Sequence, residues 1–348
     1  MKVGMIGPYP PPRGGVSVHT QRLEEFLLDR GVMVEILTPN FGKNANKTLK
    51  SKLIRIKWVL WVLTTSKSDI LHIHGGIWWE FILIIWVAKI RQMKTVMTFH
   101  SLRQDFDQMN LLEKSCWSYT VKNVDYLIIT GENERNKLVK YFNRKERLSV
   151  LPAFIPPKRV EIALPERLEA FLQNHSLIIS ANASNLDFYG GQDLYGLDML
   201  VELCSRLNSE INVGFVYCLS RISNERYLEE IQTRIQELRI ENLFLIIPDS
   251  SEFWPVLERS HIFIRPTCTD SYGVSIAEAL TFGIPSIASD VCKRPEGTIL
   301  FHSRDSEELY RKVREIITNY DLYKAQVQQL EYENCAHAIL RIYQQLTD

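Results

Sequence analysis

The sequence predicts two doubly wound α/β domains in tandem, each a parallel sheet covered by helices on both faces. Three observations predict it. Short apolar runs alternate with longer amphipathic segments along nearly the whole chain, the pattern of repeated strand–helix–strand units. The alternation is interrupted at 152–165, where Pro152, Pro156, Pro157 and Pro165 exclude a regular helix and mark a linker. The length of 348 residues exceeds what one hydrophobic core usually organises.

Before the linker, apolar runs at 2–6, 33–38, 70–74, 95–100 and 126–130 are the expected strands. The expected helices are 16–30, 48–64, 77–91, 111–122 and 132–142. After it, strands are expected at 177–181, 212–218, 243–247, 262–266 and 286–289, with helices at 197–207, 225–238, 274–282 and 306–319. The chain ends in a helical stretch over 322–346. Folds of this class bind ligands at the carboxyl ends of their strands, which here should line a cleft between the domains.

Apolar residues make up 45% and charged residues 24%, so a largely disordered chain is excluded. The net charge of +0 shows no bulk attraction to nucleic acid, and none is expected as a partner. That total hides a split: residues 1–150 hold 23 Lys+Arg against 13 Asp+Glu, a balance of +10, and the rest of the chain offsets it. Six scattered cysteines without a C-x-x-C pair suit reduced thiols in a cytoplasmic protein. The apolar start at 3–6 is too short for a signal peptide. The longest apolar run, 77–88, contains Glu80 and falls short of the ~20 residues a membrane span needs.

Four motifs bear on chemistry. Gly14-Gly15-Val16 follows the first strand and opens a helix, so the backbone there can approach an anion closely. It is neither G-x-G-x-x-G nor a P-loop, so neither NAD nor ATP is implied. His72-Ile-His74-Gly75-Gly76 runs from a strand into a turn, with both imidazoles on one face. No third metal ligand lies nearby in sequence, so packing or substrate contact is preferred to a metal. Thr98-Phe99-His100-Ser101 ends another strand and places His100 at a ligand-binding edge. The strongest motif runs from Pro266 to Asp290. In it Asp270 and Glu278 bracket a helix N-terminus, and the free N–H groups of Ser271, Tyr272, Gly273 and Val274 suit a diphosphate.

Together these motifs resemble the GT-B glycosyltransferases, and among them the retaining glycosyltransferase family 4, over nearly the whole chain. The resemblance implies two Rossmann-like domains facing a cleft: an acceptor-side domain over 1–154, a nucleotide-sugar-binding domain over 155–325, and a C-terminal helix over 326–348, carrying Tyr343, that crosses back to the first domain. It implies that Glu278 holds the ribose hydroxyls, that Asp270 meets the donor sugar, and that Ser271–Val274 backbone groups hold sugar and diphosphate oxygens. Gly14 and Gly15 would approach the diphosphate, and His100 the anomeric carbon. His72 and His74 fall on the acceptor side. No cofactor or catalytic metal is implied. The co-substrate would be a nucleotide sugar, UDP-linked as first choice and GDP-linked as second, and the acceptor a glycan or lipid-linked molecule in polysaccharide or glycoconjugate biosynthesis.

The chain departs from the family pattern at places that matter. The family has Glu at both ends of the seven-residue gap; Asp270 keeps the charge with a reach shorter by ~1.5 Å. The usual Arg after the first strand of the second domain is replaced by the run Ser180-Ala-Asn182-Ala-Ser184, and the usual Lys before glycine by Tyr195 before Gly196. Both cations hold the leaving diphosphate, a large catalytic contribution. A glycine-rich turn after the next strand is replaced by Cys218-Leu-Ser-Arg221. Arg221, Lys293 and Arg294 are candidates to restore the charge. Two alternatives stay open: a non-catalytic GT-B subunit that supports an active transferase, and a nucleotide-sugar epimerase of the same architecture.

The segment 43–67 carries seven Lys or Arg and no acidic residue. As a helix it presents one stripe of Leu49, Leu53, Ile56, Leu60 and Leu63 for packing on the sheet. A second stripe of Ile54, Trp58 and Trp61, flanked by Lys50, Arg55 and Lys57, suits an anionic membrane surface. Burial of that stripe under the apolar 77–88 segment is the competing reading. Peripheral attachment at the inner face of the membrane is therefore expected.

Overall fold

A computed structural model describes residues 1–11, 13–38, 56, 60, 67–76, 78–100, 106–208, 211–248 and 252–348. The chain forms two units: Met1–Pro11, Gly15–Ile155 and Asn334–Asp348 make one, and Pro156–Glu333 with Pro12–Gly14 the other.

The first unit contains β1 (Lys2–Ile6), α1 (Gly15–Leu28), β2 (Met33–Leu37), β3 (Ile70–Ile73), α2 (Trp78–Ile90), β4 (Lys94–Phe99), α3 (Leu111–Asn123), β5 (Tyr126–Ile129), α4 (Glu132–Phe142) and β6 (Leu148–Val150). Its six strands are all parallel, in the order β2-β1-β3-β4-β5-β6. The order reverses between β1 and β3, so the carboxyl ends of those strands open the crevice where doubly wound sheets bind ligands. The sheet is buried because helices cover it: α2 and α3 pack on one another, and Phe81, Ile84, Ile85, Trp117 and Val121 meet Leu71, Ile73 and Met97 in one core.

The second unit continues with α5 (Glu166–Asn174), β7 (Leu177–Ala183), a small antiparallel hairpin β8 (Phe188–Tyr189) and β9 (Gln192–Asp193), α6 (Leu197–Asn208), β10 (Val213–Leu219), α7 (Glu225–Glu237), β11 (Phe244–Pro248), α8 (Trp254–Leu257), β12 (Ile262–Arg265), α9 (Val274–Thr281), β13 (Ser286–Ser289), β14 (Ile299–Phe301), α10 (Ser306–Thr318) and α11 (Tyr320–Gln328). The parallel order is β11-β10-β7-β12-β13-β14, which reverses between β7 and β12. All seven residues of β10 are buried, as a central strand covered on both faces requires. Local chemistry sets the helix ends. Asp305 caps α10 by accepting from the Glu308 N–H, and Leu309, Val313 and Ile316 repeat at helical spacing to reach the core.

The single helix expected over 322–346 is two. Residues 329–334 separate α11 from α12 (Cys335–Thr347), and the Asn334 side chain restarts the helix by accepting from the Ala336 N–H at 2.9 Å. The return to the first unit therefore begins at Asn334, and residues 326–333 stay with the second. Helix α12 buries Cys335, Ile339, Ile342 and Tyr343 in the same core as Val3, Met5, Leu23 and Leu27. Among the described residues, no helix is long and apolar enough to cross a membrane.

Candidate active site

In the first unit, parallel pairing of β3 with β4 sets His72 beside Val96, and chain direction carries His74 and His100 to the same sheet edge. Four imidazoles gather there. His72 and His74 share a face, as their spacing predicted, with ring centroids 3.9 Å apart. His100 Nε2 lies 3.2 Å from His74 Nδ1. The fourth, His19, comes from α1 with its ring 4.8 Å from that of His100, and its Nδ1 donates to the Ala153 carbonyl at 3.1 Å.

These histidines differ in what they can do. His72 is fully buried with both nitrogens engaged, Nδ1 with the Tyr343 hydroxyl and Nε2 with Thr98 Oγ1 at 2.7 Å. It ties α12 to the sheet and offers no free atom to an acceptor. His19 and His74 each keep a buried Nε2 without a hydrogen-bond partner. Burial lowers the pKa of all four: His19 to about 4, His72, His74 and His100 well below the ordinary value, with neighbouring imidazoles adding to the effect in those three. At neutral pH they are uncharged and serve as hydrogen-bonding groups or proton acceptors. His19, His74 and His100 have ligand-capable atoms within 4.8 Å of one another, a grouping that sequence spacing did not show. The bond between His74 and His100 occupies a lone pair that a metal would need.

Gly14 and Gly15 stand in open space, since an added Cβ at either meets no atom within 4 Å. Internal packing therefore does not demand glycine there. The two stripes read in segment 43–67 fall mostly outside the described residues, and Lys50, Arg55, Lys57, Trp58 and Trp61 all do. Ile56 and Leu60 are described and are 39% and 55% exposed, so these two positions do not pack into the core as expected.

In the second unit, β7 and β12 pair through Phe263 and Ser180. Two residues further on, Arg265 and Asn182 face each other at the strand ends, with Arg265 Nη1 3.5 Å from Asn182 Oδ1. Arg265 Nε donates to Asp270 Oδ2 at 2.6 Å and Nη1 to Ser275 Oγ at 3.2 Å. Its guanidinium carbon lies 5.6 Å from the centre of the Tyr195 ring. Arg294 Nη1 reaches the same Asp270 oxygen at 2.8 Å. Its Nε donates to the Ser289 carbonyl at 2.9 Å, and its Nη2 to Thr267 Oγ1 at 2.9 Å and Ser289 Oγ at 3.0 Å.

This geometry revises two expectations. Asp270 is a buried carboxylate held between two arginines, with Oδ1 accepting from the Ser271 N–H at 3.0 Å. Burial by itself raises its pKa, but Arg265 and then Arg294 more than offset that and hold it well below the carboxylate range. Its Oδ2 is taken up by the two arginines, while Oδ1, among the described residues, accepts only from the Ser271 N–H. Arg294 is only 1% exposed at the side chain and engages all three of its nitrogens, so it braces the loop. The neighbouring Lys293 is exposed, as is Arg221.

Around this cluster, Ser271, Tyr272 and Val274 are half-buried and Glu278 is buried in α9. Gly273 adopts φ +90°, and a Cβ there would meet Ile276 at 2.5 Å and Arg294 Nη1 at 3.0 Å, so the turn into α9 requires glycine. Tyr195 bonds Ser184 Oγ at 2.6 Å. Asp193, not singled out in the sequence, organises this loop. Its carboxylate accepts from the N–H groups of Tyr195 at 2.9 Å and Leu197 at 2.8 Å and from the Tyr227 hydroxyl at 2.7 Å. Gly196 follows because a Cβ there would lie 2.5 Å from the Pro266 carbonyl. Arg265 was missed too. Its only sequence signal is a charge closing the apolar strand Ile262-Phe-Ile-Arg265.

With this geometry in place, the comparisons with known proteins are decisive. Residues 13–159 match the model of Glycosyltransferase Family 4, and residues 191–331 that of Glycosyl transferases group 1. The chain belongs to the GT-B glycosyltransferases and is similar to family 4. The phosphatidylinositol N-acetylglucosaminyltransferase gpi3 subunit of Schizosaccharomyces pombe is 23% identical over 89% of this chain and 71% of its own. The corresponding human phosphatidylinositol N-acetylglucosaminyltransferase subunit is 22% identical over 82% of this chain and 61% of its own. Among solved structures, a glycosyltransferase from Rickettsia africae superposes with a TM-score of 0.74 at 16% identity, covering 99% of this chain and 98% of that one. The Anabaena protein HepE, solved with UDP-glucose, superposes with a TM-score of 0.68 at 14% identity over the same shares of the two chains.

Proposed function

We propose that this glycosyltransferase moves a sugar from a nucleotide sugar, UDP-linked in first place and GDP-linked in second, to a lipid-linked acceptor with retention of anomeric configuration. The observation that carries the reading is the charged cluster at the strand-order reversal of the second sheet, where Arg265, Asp270 and Arg294 surround the N-terminus of α9. Glu278, buried in that helix, is the group for the ribose hydroxyls. In the first unit the neutral His100 is the group for the sugar side, and His74, with its unpartnered Nε2, the group for the acceptor.

The relatives support the acceptor class, since both act by name on phosphatidylinositol, and they make N-acetylglucosamine the first sugar to try. The HepE complex supports a UDP-linked donor. Peripheral binding to a membrane is supported by Leu83, Trp86 and Ile90, which lie three and four residues apart on α2 and are exposed, and by exposed Leu111 and Leu112 on α3. The second reading, a subunit that binds donor without turning it over, is favoured by the uncharged run Ser180-Ala-Asn182-Ala-Ser184 and by Tyr195, where the resemblance leads one to expect an Arg and a Lys.

Incubation with UDP-N-acetylglucosamine, with and without vesicles containing phosphatidylinositol, tests both readings. Glycosylated lipid only in the complete mixture is the expected outcome. Donor binding without any product would give the second reading the advantage, and no binding of any nucleotide sugar would sink both.

A further inference from the structure

Glycosyl transfer from a nucleotide sugar leaves a diphosphate that must be stabilised as it departs. The resemblance places cations for this purpose within the run Ser180-Ala-Asn182-Ala-Ser184 and at Tyr195, and none of these side chains is charged. A guanidinium from another strand stands beside both segments. Arg265, at the carboxyl end of β12, places its guanidinium against both positions at once, with Nη1 3.5 Å from Asn182 Oδ1 and the guanidinium carbon 5.6 Å from the Tyr195 ring.

We propose that Arg265, at the end of the adjacent strand, is the cation that holds the donor's leaving diphosphate. The inference rests on the glycosyl-transfer reading and names the residue that reading lacks. Three features assign Arg265 and exclude its neighbour. Nε and Nη1 are engaged with Asp270, Asn182 and Ser275, while Nη2 has no partner among the described residues. The Arg265 side chain keeps 15% of its surface exposed, against 1% for Arg294, whose nitrogens are all engaged. The cluster holds two guanidinium groups against one carboxylate, so it carries a net positive charge that an anion can balance.

Position agrees with charge. Ser275, which accepts from Arg265, lies in the first turn of α9, so the guanidinium stands beside a helix N-terminus already suited to phosphate oxygens. Strands β7 and β12 flank the point where strand order reverses. Asp270 acts here as a positioning residue that fixes Nε and aims the rest of the fork. During transfer, the bond between the anomeric carbon and the diphosphate oxygen breaks and the electron pair leaves on that oxygen. An acceptor hydroxyl oxygen bonds the anomeric carbon, and its proton passes to the departing diphosphate. Arg265 stays protonated throughout and contributes hydrogen bonds and charge.

The test compares UDP with uridine by titration calorimetry on the full chain, for wild type, Arg265→Lys and Arg265→Met. Wild type should bind UDP more tightly than uridine. Arg265→Met should lose roughly 10- to 100-fold in UDP affinity, the scale of a lost charged hydrogen bond, with uridine affinity unchanged. Arg265→Lys should fall between, because an ammonium keeps the charge without the fork. A merely structural role would weaken both ligands alike or neither. If the Met variant does not fold, the Arg265→Met/Asp270→Asn pair removes the buried carboxylate left short of a partner and carries the same comparison. Unchanged UDP binding in a folded Arg265→Met protein overturns the assignment and leaves glycosyl transfer standing. Failure of wild type to bind UDP or GDP overturns both.

Discussion

The histidine cluster of the first unit and the Arg265–Asp270–Arg294 cluster of the second both take ionisable groups out of water at the carboxyl edge of a parallel sheet. They meet the cost of burial in opposite ways. The imidazoles give up their charge: burial lowers their pKa values until all four are neutral at pH 7, helped by neighbouring imidazoles at His72, His74 and His100 and by Arg22 at His19. The second cluster keeps its charges by pairing them, with one carboxylate between two arginines at 2.6 and 2.8 Å. A neutral cluster can accept or pass a proton. A paired cluster with an excess positive charge can hold an anion without changing protonation. The two clusters therefore differ in what a change of pH does to them: the first gains charge as protons bind, and the second keeps its charges paired.

The largest expected effect breaks the paired cluster. Arg294→Ala leaves Asp270 with a single arginine and strips partners from Ser289 and Thr267, so the protein should lose about 3–5 kcal/mol in urea denaturation. A loss below about 1 kcal/mol would show that the pairing is not holding the loop. Nearly as large is the pH response of the neutral cluster. Unfolded histidine takes up a proton near pH 6.5 and folded His19 near 4, so between these values the unfolded state binds more protons. The stabilisation is complete above about pH 6.5 and falls as pH drops towards 4, by about 3 kcal/mol for His19 alone. Asp270 has a depressed pKa, so its contribution persists through that window and fades only as pH falls below the ordinary carboxylate value near 3.8. Amide hydrogen exchange at pH 7.5 and 5 should therefore show the first unit loosening before the second. Equal loosening would erase the distinction.

Glu278→Ala sharpens the comparison on the binding side. It should weaken nucleotide binding by about 1.5–3 kcal/mol in calorimetry while leaving the histidine cluster's pH response unchanged. Wild-type affinity in the folded variant would remove Glu278 from the site. Tyr343→Phe takes the hydroxyl from His72 Nδ1 and should cost about 1–3 kcal/mol of stability, read as a lower Tm. The smallest effect is at the surface. Arg206 forms a bidentate pair with Glu307 at 2.6 and 3.0 Å, but Glu307 is 80% exposed, so Arg206→Ala should leave the Tm within about 2 °C of wild type.

The amino-acid order by itself determined the two parallel sheets, because each strand is a local apolar run and each covering helix carries its own periodic face. It also determined the Asp270–Glu278 segment, since a strand, a glycine turn and a helix start are written consecutively there. Only the tertiary structure decided which charges meet. Arg265 and Asn182 lie 83 positions apart and become neighbours through the pairing of β12 with β7. His72 and Tyr343 are separated by 271 positions and meet because α12 returns to the first unit. Lys293 and Arg294 are adjacent and equally basic in sequence, yet one is exposed and the other buried against Asp270. Periodicity reports which face of an element is apolar. Which polar groups share a buried site depends on contacts between distant segments, and burial then sets whether those groups shed their charge or pair it.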